Sequence, residues 1–304
     1  MKNKKNLFEL IARDWQLLTI ILLPALYFII FHYVPMYGLI IAFKDYRIGK
    51  GIIGSEWVGI EWFKEFFKSF YFVRLIRNTF LLSVYNIIFS LPVPIIFALG
   101  LDEIDRAWIK KTSQTLSYAP YFISTVVLVG IMYNFLSVHD GVVNVILAKF
   151  GFKKINFWSS PKWFRPLYIG SGIWQIFGIN SILYIAVLST IDPQLYEALA
   201  IDGGNKWHKV RYIKLPAIKN IFIILMILSL GQILSVGYEK VILMYSPSTY
   251  ETSDIISTYI YRSGILDARF SYGAAVGFFN SVINFFVVII FNFIARKTQE
   301  TSLW

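Results

Sequence analysis

The sequence predicts an all-α membrane protein with six transmembrane helices. Of its 304 residues, 57% are hydrophobic and only 15% are charged, whereas soluble domains carry about 25% charged residues. The apolar residues form blocks long enough to cross a hydrocarbon core of about 30 Å as helices. Short polar segments separate these blocks. The chain is therefore expected to cross a membrane repeatedly rather than to enclose a soluble core.

Six apolar blocks account for the six spans in chain order. Pro24 and Pro35 interrupt the first block, which is too long for a removable signal peptide. Pro92 and Pro94 lie within the second block and predict a kink there. We expect a single transmembrane domain over residues 1–304, with spans at 17–43, 78–101, 113–137, 166–191, 220–238 and 270–295.

The charges exclude several classes of protein. The predicted spans contain no Asp, Glu, Lys or Arg, and His32 is their only readily ionisable side chain. Ion-coupled transporters and pumps usually bury such charges, so ion coupling is disfavoured and any transported solute should lack strong charge, unless loops supply charges to the pathway. The net charge of +11 is explained by basic residues at lipid headgroups, so no nucleic acid is expected.

Other kinds of chemistry are equally unsupported by the sequence. There is no G-x-x-x-x-G-K-[ST] loop, so the chain does not bind ATP by that route and any energy must come from a partner. There is no cysteine to form a disulfide or a thiolate metal site. No Ser/His/Asp arrangement or carboxylate pair suggests catalysis, so we expect no enzyme activity, no metal and no cofactor in this chain.

The orientation of the spans follows from the amino-terminal charges. Lysines and arginines are divided almost evenly between the two sides, so a count over all loops does not decide the orientation. Lys2, Lys4, Lys5 and Arg13 precede the first span, which carries the most weight in the positive-inside rule. We therefore expect both termini to be cytoplasmic, which also places the segment 192–216 inside.

The polar segment 192–216 lies between the fourth and fifth spans. Asp192 is a favourable N-cap for a first short helix, and Gly203 begins a glycine pair that stops it. Asn205 is placed to cap a second short helix, which we expect to end at Leu215–Pro216. On this pattern alone, the segment is either a compact projection for a soluble partner or an amphipathic connector at the headgroups.

A motif in this segment resembles the cytoplasmic loop by which permease subunits of ABC importers contact their ATPase. The sequence E-A-x-x-x-x-G begins at Glu197, and I-x-L-P follows after nine residues; Leu199 replaces the usual second alanine. The resemblance implies that Glu197 orients the ATPase surface and that Gly203 supplies the bend. The implied coupling residues are Glu197, Ala198, Leu199, Asp202, Gly203, Ile213, Leu215 and Pro216.

The resemblance extends over nearly the whole chain. The segments 23–27, 34–38, 41–46, 77–79 and 140–144 look like those of maltose/UgpA-type sugar permeases, and more narrowly of the LplB-like branch. This implies the type I ABC importer permease fold in a bacterial plasma membrane, that of a Gram-positive cell. The implied partners are a second homologous permease, two ATPases that bind ATP and Mg, an external solute-binding lipoprotein and a sugar, often an oligosaccharide or polysaccharide fragment.

Polar and aromatic side chains of the fourth span are the candidates for contacting solute. Trp174, Ser181 and Tyr184 are spaced to share one helical face. Hydrogen bonding between helices is an alternative role for these groups. The complete set is Trp174, Gln175, Asn180, Ser181, Tyr184 and, at the outer end of the fifth span, Glu239; Asn86 and Gln232 are weaker candidates. A peptide or amino-acid permease, or an ion-coupled secondary transporter, remains an alternative function.

Overall fold

The structure, a computed structural model, describes residues 13–230 and 237–299. It confirms the all-helical fold class. Within these residues, five helices are long and apolar enough to cross a membrane, and a pair of helices bent by 100° makes a sixth span if it is counted as one. These spans are Trp15–Phe43, Phe72–Asp102, the bent pair Ala107–Phe122 and Thr125–Phe135, Pro161–Ser189, Lys206–Leu230 and Phe270–Phe293; they are called spans 1 to 6 below.

Most spans are composites of shorter helical pieces. Span 1 joins Trp15–Phe28, the π-helix Ile29–Tyr33, Val34–Met36 and the 3₁₀-helix Tyr37–Phe43. Span 2 joins Phe72–Ser90 and Pro92–Asp102, and span 4 joins Pro161–Asn180 and Ile182–Ser189. Span 6 is one helix, Phe270–Gln299. Prolines lie at or near two of these junctions because a proline lacks the N–H that an uninterrupted helix requires.

Span 3 is not one straight helix, although the sequence predicts one over 113–137. The helix Ala107–Tyr118 ends in the 3₁₀ turn Ala119–Phe122, and Ile123 is extended. Ser124 then caps Thr125–Phe135 by accepting a hydrogen bond from the N–H of Val127 at 3.3 Å. Pro120 and this cap explain the break, because each favours the start of a new helix over continuation of the old one.

Span 5 also differs from its prediction. The helix that begins at Lys206 does not end at Leu215–Pro216, but continues through the π-helix Val210–Lys214 into Leu215–Leu230. The π turn changes the hydrogen-bond register just before Pro216, where a proline would otherwise interrupt an α-helix. The second part of the polar segment, from Lys206, and the span are therefore one continuous helical rod.

The described residues divide into two compact units. The first unit takes its described residues from Met1–Lys68 and Ser263–Phe278, and the second takes them from Ser69–Arg262 and Phe279–Trp304. In the first, the strands Lys44–Asp45 and Glu56–Trp57 pair antiparallel, with Lys44 opposite Trp57. Its short helices are Ile48–Lys50, Gly51–Gly54 and Glu61–Lys68.

The second unit holds spans 2 to 5 and most of the connecting helices. One cluster of buried apolar side chains in this unit includes Leu82, Phe164, Tyr168 and Val241. Lipid provides little hydrophobic force between helices, so close packing matters more: a Cβ on Gly178 would overlap the backbone of Ser117 on span 3. The connecting helices are Val142–Lys149, Pro193–Ile201, Tyr238–Met244, Pro247–Thr249, Tyr250–Ser253, Ile256–Tyr259 and, reaching into the first unit, Ile260–Leu266.

Candidate functional site

The segment between spans 4 and 5 forms a helix with defined caps. The carboxylate of Asp192 accepts a hydrogen bond from the N–H of Gln194 at 2.9 Å and begins the helix Pro193–Ile201. The amide of Asn205 caps the next helix by accepting from the N–H of His208 at 3.0 Å. The N–H of Asn205 donates in return to His208 Nδ1. Side chains within the segment therefore fix both helix starts.

The end of the helix Pro193–Ile201 depends on two glycines. Gly203 has a φ of +71°, and its N–H donates to the carbonyl of Ala200 at 3.1 Å. The N–H of Gly204 donates to the carbonyl of Leu199 at 2.8 Å. This pair of bonds is a Schellman motif. The side chain of Leu199 packs so closely over Gly204 that a Cβ there would overlap it.

The helix presents its motif residues to the surroundings. None of residues 193–201 is buried. Exposed motif residues are Glu197, Ala198, Asp202, Gly203, Leu215 and Pro216, whereas Leu199 and Ile213 are half-buried. Large apolar side chains lie beside them: Leu195, Ile201, Trp207 and Tyr212 are more than half exposed. A capped helix with exposed apolar groups has the character of a surface for a protein partner.

Lys214 links this segment to the end of span 2. Its side chain is only 4% exposed, and its ammonium group contacts Asp102 Oδ2 at 2.8 Å and Glu103 Oε1. Lys206 adds a weaker contact to Glu103 at 3.8 Å. The hydrogen bond from Lys214 is the largest cause that lowers the pKa of Glu103. Two carboxylates thus hold one buried ammonium, which is how buried charges are normally accommodated.

A cavity of about 600 Å³ lies among spans 2, 4 and 5 in the second unit. Its polar lining groups are Ser83, Asn86, Ser90, Tyr168, Asn180, Tyr184 and Ser229. Leucines, isoleucines and Pro94 form the rest of the wall, and among the described residues no charged side chain lines it. A mainly apolar wall with a few neutral hydrogen-bonding groups is typical of a site for a neutral polar molecule.

The predicted solute residues do not all meet at this cavity. Asn180 and Tyr184 line it. Trp174 lies instead in a groove of about 360 Å³ beside span 3. Gln175 donates from Nε2 to the carbonyl of Ile123 at 2.7 Å, which gives this backbone group at the break in span 3 a hydrogen-bond partner. Two further members lie apart as well: Ser181 is fully buried and bonds the carbonyl of Gly178, and Glu239 is exposed in the first turn of Tyr238–Met244.

Span 2 contributes cavity residues that the sequence argument undervalued. Ser83, Asn86 and Ser90 are separated by three and four residues, which places them on one helical face. That spacing is a signal available from the sequence. The hydroxyl of Ser83 is buried without a hydrogen-bond partner among the described residues. Gln232, the other weak candidate, lies outside the described residues.

The folded chain defines a protein with helices that can span a membrane, a cavity with neutral polar groups among spans 2, 4 and 5, and an exposed capped helix between spans 4 and 5. The chain belongs to the family described as "Binding-protein-dependent transport system inner membrane component", whose sequence profile matches residues 66–300. It is thus a permease component of a transport system.

Named relatives and solved structures are similar over almost the entire chain. The polygalacturonan/rhamnogalacturonan transport system permease protein YteP of Bacillus subtilis is 40% identical, covering 100% of this chain and 94% of the relative. Protein LplB of the same organism is 39% identical, covering 97% of this chain and 92% of that protein. A chain in the crystal structure of a bacterial alginate ABC transporter, in complex with an alginate pentasaccharide-bound periplasmic protein, has a TM-score of 0.91 and 40% identity. The match covers 98% of this chain and 99% of that one.

Proposed function

We propose that this chain forms half of the transmembrane pathway of an ATP-driven importer for an oligosaccharide. The observation that carries this proposal is the cavity of about 600 Å³, whose wall combines neutral hydrogen-bonding groups with apolar surface. Sugars present the same combination of hydroxyl groups and apolar ring faces. The relatives support the class of solute, because YteP is named for polygalacturonan and rhamnogalacturonan transport and the structural match is to an alginate transporter.

The partners in this proposal follow from the exposed segment 192–216. The helix Pro193–Ile201 docks on a partner ATPase, with Glu197 at the contact and the apolar groups Leu195 and Ile201 covered by it. ATP and Mg are bound by the two ATPase subunits. A second permease supplies the other half of the pathway, and an external solute-binding lipoprotein delivers the sugar. The docked segment is cytoplasmic, as are both termini, in a bacterial plasma membrane and, by the relatives' host, a Gram-positive one.

The mechanism assigned to these parts is alternating access. Closure of the ATPases on ATP draws the segments 192–216 of the two permeases together, and the pair changes between inward-open and outward-open states. Span 5 transmits the movement because its helix begins at Lys206, within the segment 192–216 and directly after the turn that ends the docked helix. The ion pair of Lys214 with Asp102 transmits the same movement to the end of span 2. The middle turns of span 2 line the cavity.

Uptake into proteoliposomes tests the proposed function. The vesicles contain this chain, its partner permease and the ATPases, with the binding protein outside. We expect uptake of a labelled oligosaccharide to require internal ATP and to persist when an uncoupler collapses the proton gradient. Uptake driven by an ion gradient without ATP would contradict the proposal. Competition by peptides or amino acids, but not by oligosaccharides, would favour the alternative substrate class.

A further inference from the structure

Lys240 carries a buried positive charge next to the cavity, and the function proposed above does not use it. It lies in the helix Tyr238–Met244 and is only 9% exposed. Its Nζ donates to the backbone carbonyl of Tyr168 at 2.9 Å and lies 4.9 Å from the centre of the Tyr168 ring. The helix Tyr238–Met244 therefore places a charged side chain against span 4. The apolar core of span 4 has no charged residue of its own.

The position of Gly172 places this charge behind the residues that line the cavity, against the face of span 4 that carries them. A Cβ on Gly172 would lie 3.3 Å from the Nζ of Lys240. Gly172 is four residues after Tyr168 and four before Ile176, and both of those residues line the cavity. Residues at this spacing share one face of a helix. The ammonium group consequently lies against the same face of span 4 that forms the cavity wall.

The charge has no acidic partner in the described part of the chain. The hydrogen bond to Tyr168 uses one of the three donors of the ammonium group. Burial alone lowers the pKa of Lys240 to about 8, and no carboxylate contributes to the shift. Buried lysines are normally paired, because removing the charge from water is costly. An anion that enters the cavity would supply the missing compensation.

We propose that Lys240 binds a carboxylate of the transported oligosaccharide, so that the solute belongs to the acidic, uronate-containing class. The inference rests on the function proposed above and names the solute and its contact residue. A charge-assisted hydrogen bond between an ammonium and a carboxylate is about twice as strong as a neutral one. The neutral wall holds the sugar rings, while Lys240 selects the charge at one end of the cavity.

A cluster of arginines in the second unit includes Arg165, which lies about one turn before Tyr168 on span 4. Asp254 is fully buried between Arg74 and Arg262, at 3.0 and 2.9 Å. Arg77 donates to the backbone of Glu251, and Arg165 donates to Asn78 at 3.0 Å. Of the four arginines Arg74, Arg77, Arg165 and Arg262, two are ion-paired within the described residues, both with the single carboxylate of Asp254. An excess of positive charge favours the approach of anionic solutes.

The test measures, in the complete importer, the ratio of uptake of an acidic oligosaccharide to uptake of its neutral ester, and compares this ratio between variants and wild type. The probes are tetrasaccharides of galacturonic acid or of mannuronic acid, each supplied as the free acid and as its neutral methyl ester. The variants are Lys240→Gln, which keeps a donor for Tyr168, Lys240→Met, and Lys240→Arg, which keeps the charge. The control is Lys154→Met, at an exposed lysine that donates to His139. The same binding protein is used with every variant, so its own preference for acid or ester does not affect the comparison of variants with wild type.

We expect the acid-to-ester uptake ratio to fall about tenfold in Lys240→Gln and Lys240→Met. Lys240→Arg and Lys154→Met should keep the ratio within about twofold of wild type. An equal fall for both probes, or an unchanged ratio, would overturn the inference, as would a wild-type importer that takes up only neutral tetrasaccharides. In those cases the proposed function would stand. A wild-type importer that takes up no oligosaccharide would contradict both.

Discussion

Gly203 shows how one residue sets the shape of the partner surface. Its φ of +71° lies in the left-handed region that only glycine adopts without strain. We expect Gly203→Ala to destabilise the end of the helix Pro193–Ile201 by about 1 kcal/mol. Amide hydrogen exchange at Gly204, whose N–H bonds Leu199, should become about fivefold faster. Gly49→Ala is the control, because Gly49 is exposed and has open space around it; equal exchange in both variants would contradict the assignment.

Lys214 occupies the variable position of the I-x-L-P motif, so the motif alone gives it no role. In the structure, it joins the segment 192–216 to Asp102 and Glu103. Lys214 lowers the pKa of Glu103, so the carboxylate stays ionised to a lower pH than an unpaired glutamate would. This stabilisation is present above the unfolded carboxyl pKa of about 4.3 and is lost only as the pH falls through the lower folded pKa.

We expect Lys214→Met to reduce the solute moved per ATP roughly fivefold or more, while hydrolysis continues. The reason is that the ATPase contact would no longer be tied to span 2. The variant should also melt at a lower temperature, because two carboxylates lose their counter-charge. Adding Asp102→Asn and Glu103→Gln should restore stability but not coupling. Lys219→Met, at an exposed lysine further along the same helix, is the control; an equal loss there would show that the ion pair is irrelevant.

At the scale of elements, a side chain of span 4 supplies a hydrogen bond to the backbone at the break in span 3. Gln175 donates to the carbonyl of Ile123, which the break leaves without a helical partner. An unsatisfied carbonyl inside a membrane protein is costly. We expect Gln175→Leu to lower the stability of the purified protein by about 1–3 kcal/mol, measured by thermal melting. Gln114→Leu should have a much smaller effect, because the Gln114 amide has no hydrogen bond within the described residues; equal losses would contradict this role.

The cavity gives a second prediction at this scale. Asn180 lines the wall and Trp174 does not. If Asn180 bonds the solute, Asn180→Leu should raise the KM for oligosaccharide uptake about three- to tenfold. Trp174→Leu should leave the KM unchanged, although both residues were candidates from the sequence. The opposite ranking would show that solute passes the groove beside span 3 instead of the cavity.

These elements show which parts of the structure the sequence could predict. The helical class followed from blocks of apolar residues, because backbone groups in lipid must bond within a helix. The sequence also predicted the helix caps at Asp192 and Asn205 and the helix end at Gly203, because each depends only on neighbouring residues. The contact of Lys240 with Tyr168 joins distant segments, so local patterns could not reveal it. The break in span 3 has local signals in Pro120 and Ser124, which the prediction of a single helix over 113–137 did not use.

At the scale of the whole molecule, two features separated along the chain lie in one compact unit. The exposed segment 192–216 follows span 4, and the cavity is formed by spans 2, 4 and 5. Span 5 and the pairing of Lys214 with Asp102 connect the two. This connection is the basis for proposing that ATP hydrolysis by a partner drives solute movement through this chain.

The most direct test of that claim is co-purification combined with nucleotide hydrolysis. The tagged chain is expressed with its partner permease and ATPases, as wild type and as Glu197→Lys, Gly203→Asp, Glu61→Lys and Gly49→Asp. The last two make the same changes at exposed positions outside the segment. We expect the ATPase to remain with wild type and both controls, and to be lost or uncoupled from solute in Glu197→Lys and Gly203→Asp. Retention of the ATPase and of coupled hydrolysis in all five proteins would contradict the account.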